Sequence, residues 1–248
     1  MAISSPPRPG DQAVSHRQRG LITAFVITAF VLALVAVLVL AAAVVALLAR
    51  GGSSGSGVQG SGVAATQSRV LTRFSSLDLA GTNSVTVDVG GQQSVVVHAD
   101  GNLIRSVTTR VVAGTLVIGT TGSFTTKAPM SVEVSVPSLA AVTLSGTGKI
   151  AVAGIDAPRL TVMLPGSGSL YVSGTVTQLD VTLDGSGQVQ LGGLAARDVH
   201  AVVAGSGLIR VTATAGLNAA VTGSGAIIYS GNPQVTSSVT GSGTVTRG

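Results

Sequence analysis

The chain has 248 residues, of which only 9% are charged and 2% aromatic, with 34 glycines, no Trp and no Cys. Its 45% apolar content argues against general disorder, and the missing Cys removes disulfides, thiolate metal sites and lipid attachment to a cysteine. The net charge of +5 is no nucleic-acid signal: four of the fourteen basic residues (Arg8, Arg17, Arg19, Arg50) flank one apolar run, and residues 51–248 hold ten basic against eight acidic side chains with no clustering.

Residues 1–20 are polar and Pro-rich and read as a disordered tail. Residues 21–49 carry no charge, and Thr23 and Thr28 are their only polar side chains. A bilayer needs about 20 apolar residues in a helix, so this 29-residue run predicts one transmembrane helix. A cleavable signal has an apolar region of only about 7–15 residues. Arg8, Arg17 and Arg19 precede the run and only Arg50 follows closely, which places the tail in the cytoplasm and the rest outside. Residues 50–68 read as a flexible Gly/Ser linker.

Residues 69–136 show short alternating or β-branched runs, such as Val85–Val89, Val95–Val97, Leu116–Ile118 and Val132–Val136. Gly90-Gly91, Asp100-Gly101-Asn102 and Ala113-Gly114 punctuate them as turns. About six strands are expected here, forming the first coils and the N-terminal cap of a stack.

The second half repeats a glycine triplet. It reads Gly146-Thr147-Gly148, Gly166-Ser167-Gly168, Gly185-Ser186-Gly187, Gly205-Ser206-Gly207, Gly223-Ser224-Gly225 and Gly241-Ser242-Gly243, with steps of 20, 19, 20, 18 and 18 residues. A period near 19 marks a stacked repeat. In the second repeat Leu160, Val162, Leu164, Gly166, Gly168, Leu170 and Val172 share one parity. In an extended chain they face one side, so the glycines stand where an inward side chain belongs. They predict a corner with no room for a Cβ, or one that needs a positive φ. Thr147, Ser167, Ser186, Ser206, Ser224 and Ser242 then point outward as a hydroxyl ladder, one rung per coil. The expected fold is all-β: a single-stranded right-handed parallel β-helix over residues 69–248, with coils of about 18–20 residues and no hexapeptide pattern.

The repeated V-x-L-x-G-[ST]-G-x-[IVL]-x-V pattern resembles the bacterial head GIN domain family, whose members carry the label "putative auto-transporter adhesin". The run Ala226-Ile227-Ile228-Tyr229-Ser230-Gly231-Asn232-Pro233-Gln234-Val235 is similar to that family's Y-x-G-N-P-x-V ending, and His98-Ala99-Asp100-Gly101-Asn102-Leu103 to its A-D-x-N-L element. The resemblance spans residues 70–248. It implies a β-helix displayed at the cell surface or in the envelope, and no established activity. A long N-terminal span departs from many family members and implies a membrane-tethered version.

No motif carries chemistry. Asp180 and Asp184 share a strand and a face, with Lys149 and Arg210 on neighbouring coils, but isolated solvated charges explain them as well. His200 near Asp198 lacks a nucleophile elbow beside Ser206, and His98 reads as a surface residue at a strand end. The triplets complete neither G-x-G-x-x-G nor a P-loop, the repeats lack the aspartate of calcium-binding nonapeptides, and Gly231-Asn232-Pro233 is turn chemistry. By parity Tyr171 faces out and Tyr229 in. No catalytic residue, metal site or cofactor is expected. The reading is a non-enzymatic, single-pass bacterial membrane protein whose extracytoplasmic β-solenoid serves as an adhesin or envelope component. Its candidate partners are the membrane and a surface glycan or envelope polymer, not nucleic acid. A polysaccharide lyase or hydrolase and a sensory ectodomain are the alternatives.

Overall fold

The computed structural model of the protein describes residues 57–248, which form one compact unit. The expected tail and transmembrane helix lie outside the described residues. Among those described there is no helix, hence none long and apolar enough to cross a membrane.

The first nine strands are β1 (Val58–Gln59), β2 (Ala64–Ser68), β3 (Ser76–Leu79), β4 (Ser84–Val89), β5 (Ser94–Asp100), β6 (Val107–Val112), β7 (Thr115–Thr120), β8 (Phe124–Thr125) and β9 (Ser131–Val136). The repeat supplies β10 (Ala141–Leu144), β11 (Lys149–Leu164), β12 (Ser169–Gly185), β13 (Gln188–Gly205), β14 (Leu208–Gly223), β15 (Ala226–Gly231), β16 (Gln234–Gly241) and β17 (Thr244–Arg247). Every neighbour pair from β10 to β17 is parallel, and together with the earlier strands they make a β-solenoid of about five turns.

The long strands are bent around the coil. In β12 the buried positions run Leu170, Val172, Val176, Leu179, Val181, Leu183. The spacing of two, which keeps side chains on one face, breaks twice. The breaks divide the coil into three walls. At the first of them Gly154 and Gly174 take φ of 78° and 134° and the register slips. Inside, like stacks on like: Val142, Val162, Val181, Ala201 and Ala219 form one column and are buried throughout. A fully buried Leu or Val contributes roughly 1.5–3 kcal/mol over an exposed one, so this continuous core is the main stabilising term.

The glycine triplet is the third corner, and its two glycines do different work. A Cβ on Gly207 would lie 2.6 Å from the Gly187 carbonyl oxygen and collide with a δ-methyl of Leu183, one coil below. Gly148, Gly168, Gly187, Gly225 and Gly243 make the same contact with Leu79, Leu144, Leu164, Val203 and Val221. The second glycine is thus the pocket that receives the last apolar residue of the preceding coil. The first glycine faces backbone instead. A Cβ on Gly205 would stand 2.6 Å from the Gly185 oxygen, and its φ of 130° disfavours any L side chain.

Coil order departs from chain order in the N-terminal part. β10 lies on β3 and β3 on β7; β11 lies on β4 and β4 on β9. The strands at 76–89 are therefore sandwiched between strands that follow them in sequence. β6 pairs antiparallel with β7, β5 with β9 and β2 with β5. These antiparallel strands cap the stack, which an all-parallel repeat does not provide for itself. The linker expected over 50–68 differs in its second part: β1 pairs with β8, and β2 joins the cap sheet.

The cap is locked by Asp100 and Asn102. Asp100 accepts hydrogen bonds from the amides of Gly62 (2.6 Å), Lys127 (2.9 Å) and Ala128 (3.1 Å). Asn102 accepts one from the Ser61 amide and donates one to the Gln59 carbonyl, while Leu103 is buried. Burial alone would raise the Asp100 carboxyl, but the amides of Lys127, Ala128 and Gly62 hold it below the usual carboxylate range.

Two outcomes follow for stability. Gly207→Ala should destabilise the protein by about 1–3 kcal/mol through overpacking, whereas Ser206→Ala next to it should change stability by less than about 0.5 kcal/mol; urea unfolding of both checks the contrast. The Asp100 contribution is present above the unfolded carboxyl pKa of about 3.9 and is lost as pH falls below it, because the folded group holds its charge longer. Thermal melts over that range should show a weaker acid dependence for Asp100→Asn than for the wild type, from a lower starting stability.

Candidate functional site

The triplet hydroxyls come first. Thr147, Ser167, Ser186, Ser206, Ser224 and Ser242 are all exposed. The glycines around them stack in register, Gly185 under Gly205, Gly223 and Gly241 in turn. The amides of Ser206 and Ser224 donate to the carbonyls of Gly185 and Gly205 below, at 3.1 and 3.0 Å. The backbone of the ladder is thereby fixed while its hydroxyls face water. Sequence parity missed one rung: Gly81-Thr82-Asn83 lies directly beneath Gly146-Thr147-Gly148, with Thr82 exposed. Its second glycine is Asn83, whose buried Nδ2 finds no partner.

A second feature lies on the wall before the triplet. A shallow groove of about 650 Å³ crosses successive coils there. Two outward columns line it. One runs Arg159, Gln178, Asp198, Gly216, Gln234, and the other Asp180, His200, Asn218, Thr236. Outward residues two apart on a strand share a face, and coils about 4.8 Å apart place their side chains in contact. Arg159 bonds to Asp180 at 3.3 Å and to Gln178. The Arg197 guanidinium lies 3.8 Å from Asp198. On the coil after Asp198 the column offers Gly216, and the Asp198 carboxylate lies over it: a Cβ there would stand 2.9 Å from Asp198 Oδ1.

The other candidates scatter. The groove takes in Asp180, Asp198 and His200, but its lining does not include Asp184, Lys149 or Arg210. Lys149 belongs to the wall after the corner, where its ammonium sits 4.8 Å from the Tyr171 ring centroid. Arg210 shares that wall, in register with Gln190. Tyr171 is 39% exposed and engaged by this cation–π contact, while Tyr229 packs against the core. His98 lies within β5, its Nδ1 hydrogen-bonded with Thr66 Oγ1 (3.1 Å) and its Nε2 3.5 Å from Glu133 but without a hydrogen-bond partner. Ser206 stands on the ladder and outside the groove lining, so His200 gains no nucleophile from it. Arg159, Gln178 and Gln234 were missed as candidates. They were recoverable, because each immediately precedes the first inward residue of its coil (Leu160, Leu179, Val235).

The family model described as "Putative auto-transporter adhesin, head GIN domain" matches residues 73–233. Among solved structures, an adhesin-labelled protein of Bacteroides fragilis superposes with a TM-score of 0.66 at 22% identity, covering 77% of this chain and 100% of its own. Two proteins of Parabacteroides distasonis, one labelled a putative adhesin and one a putative lipid binding protein, align at 23% and 22% identity with TM-scores of 0.47 and 0.48, covering 77% of this chain and 99% and 98% of their own. At this identity the first likeness carries the fold alone. No curated protein matches the sequence.

The groove side chains are solvated, and the Arg159–Asp180 pair leaves 62% and 40% of its side chains exposed. Such pairs are worth about 0–1 kcal/mol. Asp180→Asn and Asn218→Ala should therefore shift the unfolding free energy by less than about 1 kcal/mol, measured by urea titration, which makes them clean probes of binding.

Proposed function

Since the chain belongs to the head GIN domain family, we propose that it is a non-enzymatic display module of a bacterial surface, presenting the groove wall to a surface glycan or envelope polymer. The single observation behind this reading is the groove itself. Guanidinium, carboxylate, imidazole and amide groups follow one another along it, one coil apart, and stay open to water. A polar chain lying along the rod would meet a further polar side chain at each coil, which suits many weak contacts in series rather than one deep pocket. The carboxylates that acid–base work would need are engaged: Asp180 with Arg159, and Asp198 beside Arg197. We read the solenoid as right-handed and single-stranded, the hand that crossovers between parallel strands favour. On the same reading the apolar run over 21–49 spans the membrane once, with residues 1–20 in the cytoplasm.

A glycan array probed with residues 57–248 tests the binding surface. Binding is expected, and Asp180→Asn combined with Asn218→Ala should weaken it by about tenfold or more, about 1.4 kcal/mol. No binding at high micromolar protein, or binding indifferent to the double variant, would sink the groove as the contact surface. Fractionation of the full chain tests the tether independently: it should sediment with membranes and resist carbonate extraction.

A further inference from the structure

The two ends of the solenoid are finished differently. The N-terminal end is closed by antiparallel strands, and the outer strand β6 carries Arg110. At the other end, among the described residues, β16 pairs only with β14, and β17 only with β15. β16 has no charged side chain from Gln234 to Gly241 and no proline inside it. Its register on Leu217, Ala219 and Val221 makes Val235, Ser237 and Val239 the inward-facing residues. Val235 and Val239 should be core by position, yet they are 39% and 43% exposed. An uncharged edge strand with open apolar residues is a template for pairing with another strand.

The direction of the free hydrogen bonds can be read from the coils below. The outward residue Thr161 donates its amide to Ala140, on the preceding coil. Thr161 heads the column Asp180, His200, Asn218, Thr236. Outward residues of this wall thus turn their peptide groups toward the preceding coil. Alternation then turns those of Val235, Ser237 and Val239 toward the open edge.

This edge is complementary to itself. We propose that two copies of the chain join end to end, β16 pairing antiparallel with β16 of the second copy about a two-fold axis at Ser237. That register sets Val235 opposite Val239, Thr236 opposite Ser238 and Ser237 opposite itself. Apolar residues face apolar residues, hydroxyls face hydroxyls, and no charge is opposed to a like charge. Every inward residue that turns its peptide groups to the edge meets one that does the same, so both sets of orphan donors and acceptors are satisfied. A two-fold contact of this kind closes on itself and ends growth at two copies. The capped end offers no such match, which sets this arrangement apart from a head-to-tail fibre. Such a pair carries its two capped ends outermost. The dimer itself does not depend on the tether.

The absence of any native cysteine gives a direct test. A hydrogen-bonded antiparallel pair has a Cα separation of about 5.5 Å, inside the disulfide range of about 4.4–6.8 Å. Ser237→Cys, in the full chain in detergent and in the compact unit 57–248, should form a covalent dimer under mild oxidation. Ser224→Cys, on the exposed ladder, should stay monomeric under the same conditions. Sedimentation of the wild type should give twice the chain mass, and Val239→Lys, with an unchanged circular dichroism spectrum and melting temperature, should return it to one. Wild-type monomer at all concentrations, equal cross-linking at both cysteines, or higher polymers without the Ser237→Cys disulfide would each overturn the proposal.

Discussion

The rest of this structure depends on one contact: the last apolar side chain of each coil fits into the space left by the missing Cβ of the second glycine on the next. Leu144 meets Gly168, Leu164 meets Gly187, and Leu183 meets Gly207. The first glycine serves the same end by a different route, since its own Cβ would strike the carbonyl of the coil beneath. With both positions bare, the corner closes to strand-pairing distance and the two flanking walls stay in register. A larger residue at either place would force the coils apart where the backbone ladder needs them together. The outward hydroxyl between the glycines is under no such constraint. Its amide is committed to the stack and its side chain is not.

The cap shows the same constraint by its exception. Gly81-Thr82-Asn83 supports the corner at Gly146 and Gly148, but Asn83 replaces the second glycine and leaves a buried Nδ2 without a partner. Beneath it the parallel ladder continues to β7 and β9 and only then gives way to antiparallel strands. Those strands are tied by long-range polar contacts, chiefly Asp100 and Asn102 reaching to residues 59–62, with Asp100 also reaching 127–128. Repeating coils need only nearest-neighbour contacts. A cap has one neighbour fewer and makes up the difference with specific hydrogen bonds.

The repeat was legible because stacking imposes a period. The step near 19, the inward parity of Leu160 to Leu164 and the outward serines all follow from placing equivalent residues one above another. The coil order around residues 76–136 was not legible, because antiparallel pairing and a chain that doubles back leave no period to read. Asp100 and Asn102 were visible as a motif, but their partners lie 27 to 43 residues away, beyond any local signal. The groove falls between. Asp180, Asp198 and His200 drew attention as charged or catalytic types, while Arg159, Gln178 and Gln234 belong with them only through register. Parity reverses mid-coil, at Gly154 between Val152 and Ile155 and in the next coil between Val176 and Leu179, so a count of alternation alone could not carry the face of one wall to the next.

The measurement closest to the central claim is native-state hydrogen exchange at the glycine corner. Ser206, Ser224 and Gly225 present exposed or small side chains, yet their amides donate to Gly185 and Gly205 on the coil below. If close stacking at the corner holds the solenoid together, these amides should exchange as slowly as those of the buried residues Val181 and Val203, through global unfolding. Fast exchange at Ser206, Ser224 and Gly225 with the wall amides still protected would mean that the corners open independently of the stack, and would contradict the account.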